Sequence, residues 1–207
     1  MAETPFDTSV FINCPFDEHY YPLLRPLLFT VFYSGLQPRI ALESLDSGKT
    51  RLEKIVVLIQ ESRFAIHDLS RIKSTESDEI FRMNMPFELG LDVGCRLFKG
   101  ERWQDKKCLI LEADHYRYRA AISDISGSDI AAHNNQPEEV LYVVRNWLTA
   151  EAGIRLPGPS NLWGDFNDFM TCNYSDLKNH GYSDRDIERL PVHELMQAMQ
   201  RWVSEKR

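Results

Sequence analysis

The chain of 207 residues predicts an α/β protein with a parallel sheet of about five strands, helices on both faces and a helical tail. Three observations carry this. Short apolar runs alternate with stretches whose apolar residues recur every three or four positions. Turn residues punctuate each change of period. The runs stop at polar residues, as strands entering a cleft do.

The order follows from the residues. Ser9 to Asn13 is an apolar run stopped by Cys14-Pro15, the pattern of a strand buried on both faces. Tyr20, Leu23, Leu24, Leu27, Leu28 and Val31 form one helical stripe over His19 to Phe32, ended by Gly35. Pro38 to Leu42 is a second strand, with a polar loop from Glu43 to Thr50. The helix Arg51 to Ser62 shows Leu52, Ile55, Val56 and Ile59 on one face, and Phe64 to Ile66 is a third strand running into His67-Asp68. This βαβαβ alternation requires crossover connections, hence a parallel sheet.

Ile72 to Arg82 reads as a loop or lid, and Pro86 suits the first turn of a helix reaching about Phe98. Lys107 to Glu112 is the fourth strand, Tyr116 to Ile125 a helix, Asp129 to His133 a short fifth strand and Pro137 to Ala150 a helix. The α/β domain is expected over 1–154, and 155–207 is a helical appendage with helices at Asn161 to Asn179 and Pro191 to Glu205.

Composition narrows the function classes. A net charge of −7 opposes a surface built to coat duplex DNA. No apolar run reaches the ~18 residues needed to span a bilayer, so no membrane partner is expected. Cys14, Cys95, Cys108 and Cys172 show no C-x-x-C pairing, which fits a cytoplasmic protein. Cys95 and Cys108 read as small buried hydrophobes, and Cys14, after a strand, is less settled. The six histidines have no metal-ligand spacing, so neither a metal nor a cofactor is expected. Lys106, Lys107, Arg117 and Arg119 read as a solvated basic face.

In a doubly wound sheet, ligands bind beyond the carboxyl ends of the strands. That rule collects Asn13 to Asp17, Glu43 to Arg51, His67 to Arg71 and Asn84 to Glu88. Glu88 sits in the first turn of its helix, where the free N–H groups also favour an acidic residue for dipole reasons alone. His67 and Asp68 do not form a direct pair, because neighbouring strand residues point to opposite faces. Tyr20, Tyr21, Tyr116 and Tyr118 can stack on a flat ring but as readily pack.

Phe87-Glu88-Leu89-Gly90 after a loop resembles the glutamate-bearing helix start of nucleoside 2-deoxyribosyltransferases. Val10-Phe11-Ile12-Asn13, then Asp17, a helix, Gly35, Asp46-Ser47-Gly48 and the helix from Arg51 resemble a TIR domain. The resemblance covers roughly Ser9 to Leu111 and implies a flavodoxin-like three-layer fold. It also implies that Glu88 is the catalytic carboxylate for cleaving an N-glycosidic bond in NAD or a related nucleotide. Substrate contacts are then expected from Asn13, Asp17, Tyr21, Glu43, Arg51, His67, Asp68, Ser70 and Asn84, with Arg39 and Arg71 as further phosphate ligands. The departures are bulky Met85, Pro86 and Phe87 before the glutamate, and no Trp-Cys pair ahead of it.

The expected role is a bacterial antiphage-defence effector acting on a nucleotide or NAD-type small molecule, as a homo-oligomer or with a defence-system partner protein. Two alternatives stay open: a deoxyribosyltransferase or hydrolase of nucleotide metabolism, and a non-catalytic module that binds a nucleotide signal.

Overall fold

The computed structural model describes residues 5–43, 46–70, 83–114, 122 and 127–206. Arg71, the segment expected as a lid, Tyr116, Tyr118, Arg117 and Arg119 lie outside the described residues. So does most of the helix expected at Tyr116 to Ile125.

Five parallel strands, β1 (Ser9–Asn13), β2 (Gln37–Arg39), β3 (Phe64–Asp68), β4 (Lys107–Glu112) and β5 (Ile130–Ala132), form one sheet in the order β2-β1-β3-β4-β5. This is the flavodoxin-like order. The helices are α1 (Tyr21–Ser34), α2 (Arg51–Gln60), α3 (Asn84–Phe98), α4 (Pro137–Glu151), α5 (Pro159–Asn179), α6 (Asp184–Glu188) and α7 (Val192–Lys206).

β1 and β3 are buried at every position because helices cover both faces. Val10, Ile12, Phe64, Ile66, Leu109 and Leu111 pack with α1 and α4. On the other face, Phe11 and Ala65 meet Ile55, Leu58 and Ile59 of α2. β2 is shorter than expected. Pro38 has no N–H to donate and is tolerated on an edge strand, after which Ala41–Glu43 turns as a 3₁₀ helix instead of continuing as strand.

α2 starts at a capping box: Thr50 Oγ1 accepts from the Glu53 amide at 3.2 Å, and the Glu53 carboxylate accepts from the Thr50 amide at 2.7 Å. α1 ends where Gly35 takes φ 87°, a left-handed conformation that suits glycine.

α1 is buried on more than the expected stripe, because Phe29 and Phe32 are buried too. Helices apolar all round are covered all round. The C-terminal helices supply the second cover: Phe29 lies 5.5 Å from Phe166, 5.7 Å from Phe169 and 5.6 Å from Trp202, centroid to centroid. The tail therefore shares one hydrophobic cluster with the sheet and α1. Among the described residues, no helix is long and apolar enough to cross a membrane.

Candidate functional site

The strand order reverses between β1 and β3, so α1 and α3 leave toward opposite faces and open a crevice at their carboxyl ends. Parallel register sets Asn13 beside His67 there. The Asn13 amide nitrogen donates to the Met85 carbonyl at 2.9 Å and lies 3.0 Å from His67 Nδ1. A carbonyl can only accept, so the amide nitrogen must face Met85, and His67 Nδ1 is then an acceptor too. The proton of the neutral ring sits on Nε2, which donates to Asp92 Oδ2 at 3.2 Å. Through Asn13, the end of β1 holds both β3 and the first turn of α3.

Asp92 is buried on α3, with Lys106 Nζ 3.0 Å from its other oxygen. Burial pushes its carboxyl up, but the His67 hydrogen bond and the Lys106 charge outweigh burial and hold it below the ordinary 3.8. Lys106 also donates to the Ile59 carbonyl at 2.8 Å and to the Ser62 carbonyl. The expectation of a solvated basic face is thus corrected at Lys106, whose ammonium is buried where it satisfies the carbonyls ending α2. Lys107 is solvated and pairs with Glu151 at 3.1 Å.

Asp68 points to the opposite face, as strand alternation requires. Its Oδ2 accepts from the Tyr20 hydroxyl at 2.5 Å and from His133 Nε2 at 3.1 Å, and its Oδ1 from the Ser70 amide at 2.8 Å. The Asn135 amide donates to His133 Nδ1 at 3.1 Å, so the His133 proton also sits on Nε2. Burial raises Asp68, yet the hydrogen bonds from His133, Ser70 and Tyr20 bring it below the ordinary 3.8. Burial and the nearby Asp68 charge push the Tyr20 hydroxyl well up, so it remains a donor. Three chain connections, after β1, β3 and β5, are tied to one carboxylate.

Glu88 is only 5% exposed. Burial raises its carboxyl above the ordinary 4.5, opposed by the Arg51 charge. Arg51 Nη2 lies 3.8 Å from Glu88 Oε1, and the arginine is half exposed, with its guanidinium over the Phe16 ring at 6.0 Å. Cys14 is buried close by; burial first, then the charges of Asp68, Glu88 and Asp17, push its thiol well up, so it is no nucleophile. Cys95 and Cys108 are half buried rather than buried.

Of the residues expected at the site, Asn13, His67, Asp68, Ser70, Arg51 and Glu88 gather around the β1 and β3 ends. Asp17 is half buried and accepts from the Tyr20 amide at 3.0 Å, closing the turn into α1. Asn84 is exposed at the α3 start. Glu43 grips Arg39 Nε at 3.0 Å and the Ile40 amide at 2.6 Å, and Arg39 also meets Glu61 at 3.2 Å, so this pair closes the turn after β2. Tyr21 lines a different cavity, between α1 and the C-terminal helices.

Asp92 and His133 were not expected at the site, and Tyr20 was expected only as a packing or stacking side chain. Asp92 carried a signal: with Met85 and Leu89 it completes the buried stripe of α3, where an apolar residue belongs. His133 pairs across 65 residues, and no local pattern encodes that.

His67, Asp92 and Cys108 place one ligand atom each within 4.8 Å of one another. The set does not suit a cation. His67 Nε2 carries the proton fixed by Asn13, and an ammonium already sits against Asp92. No family model, curated protein or solved structure matches this chain.

Proposed function

We propose that this chain cleaves the N-glycosidic bond of NAD or a related nucleotide, with Glu88 as the catalytic carboxylate. One observation carries the reading: Glu88 is a buried carboxyl at the β1/β3 crevice facing a half-exposed Arg51 at 3.8 Å, while Asp68 and Asp92 are held by hydrogen bonds. A buried carboxyl with a raised pKa at a strand-end crevice is a candidate for chemistry. The resemblance of Phe87-Glu88-Leu89-Gly90 to the glutamate-bearing helix start of nucleoside 2-deoxyribosyltransferases supports the same residue.

The ribosyl carbon passes through an oxocarbenium-like state that ionised Glu88 stabilises or captures. As the carbon–nitrogen bond breaks, its electron pair neutralises the pyridinium, and nicotinamide leaves without needing a proton. Water then adds to the ribosyl carbon and gives up a proton to the carboxylate. In this reading Asp17 and Asn84 take the ribose hydroxyls and Arg51 the diphosphate.

The leaving group favours NAD over deoxynucleosides. A neutral base departs best when protonated, and Asp68, the other carboxylate at the β3 end, accepts three hydrogen bonds and is held ionised. In this reading the protein is a cytoplasmic bacterial defence effector that removes a nucleotide cofactor, as a homo-oligomer or with a partner protein. Its four free cysteines accord with a reducing compartment.

The test is mass spectrometry of NAD and of deoxynucleosides plus a free base, with parent protein and Glu88→Gln. Release of nicotinamide by the parent, reduced about a thousandfold in the variant, is the expected result. Full NAD hydrolysis by Glu88→Gln sinks the proposal. Base exchange without NAD loss transfers the chain to the deoxyribosyltransferase reading.

A further inference from the structure

The face of α1 turned away from the sheet closes a second cavity, of about 400 Å³, against α5, α6 and α7. Such a volume falls within the ~300–1,000 Å³ of small-molecule sites. Its walls are mainly apolar, from Leu24, Met170, Ile187, Val192 and Leu195. Polar side chains also reach it, from Asn173, Tyr174, Asp184 and Glu188, and its one cation is the half-buried Arg25, for which no carboxylate or carbonyl among the described residues serves as partner. The other arginines of this half are engaged or open to solvent; Arg145, for one, donates to the Leu156 and Pro157 carbonyls at 2.7 and 2.8 Å.

A guanidinium presents a planar fork of donors that matches a carboxylate, and leaving it half-buried without an acceptor is unfavourable. Burial accordingly lowers its pKa. Two acidic residues border the cavity without answering Arg25. Asp184 is taken by the Tyr174 hydroxyl at 2.7 Å and Lys178 Nζ at 3.1 Å, and Glu188 is exposed on the rim, where water and salt screen it. The Asp184 contacts also tie α6 to α5 over the cavity, so its outer wall is built.

We propose that this cavity binds a small organic acid, its carboxylate paired with Arg25 and its alkyl or aryl body against Leu24, Met170 and Leu195. The site is separate from the Glu88 crevice and stands whether or not that reading does. It is linked to the crevice through one peptide: Tyr21 lines the cavity, and Tyr20 before it holds Asp68.

The test is calorimetric titration of the full chain with benzoate, phenylacetate and hexanoate, each against its primary amide. At least one acid binds roughly tenfold or more tightly than its amide, and Arg25→Gln loses about the same factor, the size of one charge-assisted hydrogen bond. Ile187→Trp, which fills the cavity from α6 and leaves Arg25 in the sequence, abolishes binding and decides the matter if circular dichroism shows Arg25→Gln unfolded. Binding of no acid, acids no better than amides, or undiminished binding by either folded variant overturns the proposal.

Discussion

Glu88 and Asp92 stand about one turn apart on the buried side of α3, and their surroundings differ in kind. Asp92 has a histidine N–H at 3.2 Å and an ammonium at 3.0 Å, so its charge is answered inside the protein. Glu88 has a half-exposed guanidinium at 3.8 Å. Burial acts on both, yet Asp92 ends below its ordinary pKa and Glu88 above. The same helix therefore carries one carboxylate that organises the fold and one whose burial opposes it. That contrast is why the proposed chemistry is assigned to Glu88 and not to Asp92.

The comparison breaks most visibly at Asp92. Replacing it by Ala leaves the Lys106 ammonium buried without its counter-charge and the His67 N–H without its acceptor, a loss of about 3–5 kcal/mol in urea denaturation. Because Asp92 has a depressed pKa, its contribution is present above the ordinary 3.8 and disappears as pH falls through the lower folded value. The parent and Asp92→Ala curves should converge in acid. A variant as stable as the parent at pH 7 would show that Asp92 is not the structural member of the pair.

Asn13→Ala comes next. It removes the donor to the Met85 carbonyl and to His67 Nδ1 and releases the α3 start, at about 1–3 kcal/mol. Nicotinamide release should fall with it, since Glu88 follows in the next turn of the same helix, and the fall should exceed the change in KM.

Glu88→Gln has the opposite sign on stability. The raised pKa means the folded state favours the protonated acid. Glu88 therefore favours folding fully below its ordinary 4.5, and that contribution is lost as pH rises through the folded value. A neutral amide escapes that loss, so the variant should melt about 2–4 °C higher at pH 7 and match the parent near pH 4. A lower Tm at pH 7 would place Glu88 with Asp92 among the structural acids.

Much of this contrast was legible in the residues, and its limits have physical causes. β1 and β4 were readable to the residue because strands buried on both faces are continuous apolar runs. α6 was not, since a capping box between Ser183 and Asp186 starts a five-residue helix with no apolar period to betray it. At the site, Asn13 and Asp68 stood out as polar residues at strand ends, and Glu88 was expected in the first turn of its helix; α3 starts at Asn84, so Glu88 lies in the second turn instead. The partners that decide which carboxylate is spent and which is available come from 25 residues away for His67 and Asp92 and 65 for Asp68 and His133. Only the sheet order brings them together.

Arg51→Ala sharpens the comparison with the smallest effect. The arginine side chain is 51% exposed and solvent screens its pair with Glu88, so stability should change by less than about 1 kcal/mol. Its influence is on the acid itself. Arg51 is the charge that lowers Glu88 against burial, and without it the carboxyl rises further. In the proposed reaction nicotinamide release needs the ionised form, so it should gain its acidic limb at a higher pH than in the parent, with the plateau at high pH reduced by loss of the proposed diphosphate contact. An unmoved acidic limb would mean that another group sets the ionisation. A collapse in stability would mean that Arg51 holds the fold as Lys106 does, and the division between the two carboxylates of α3 would have to be redrawn.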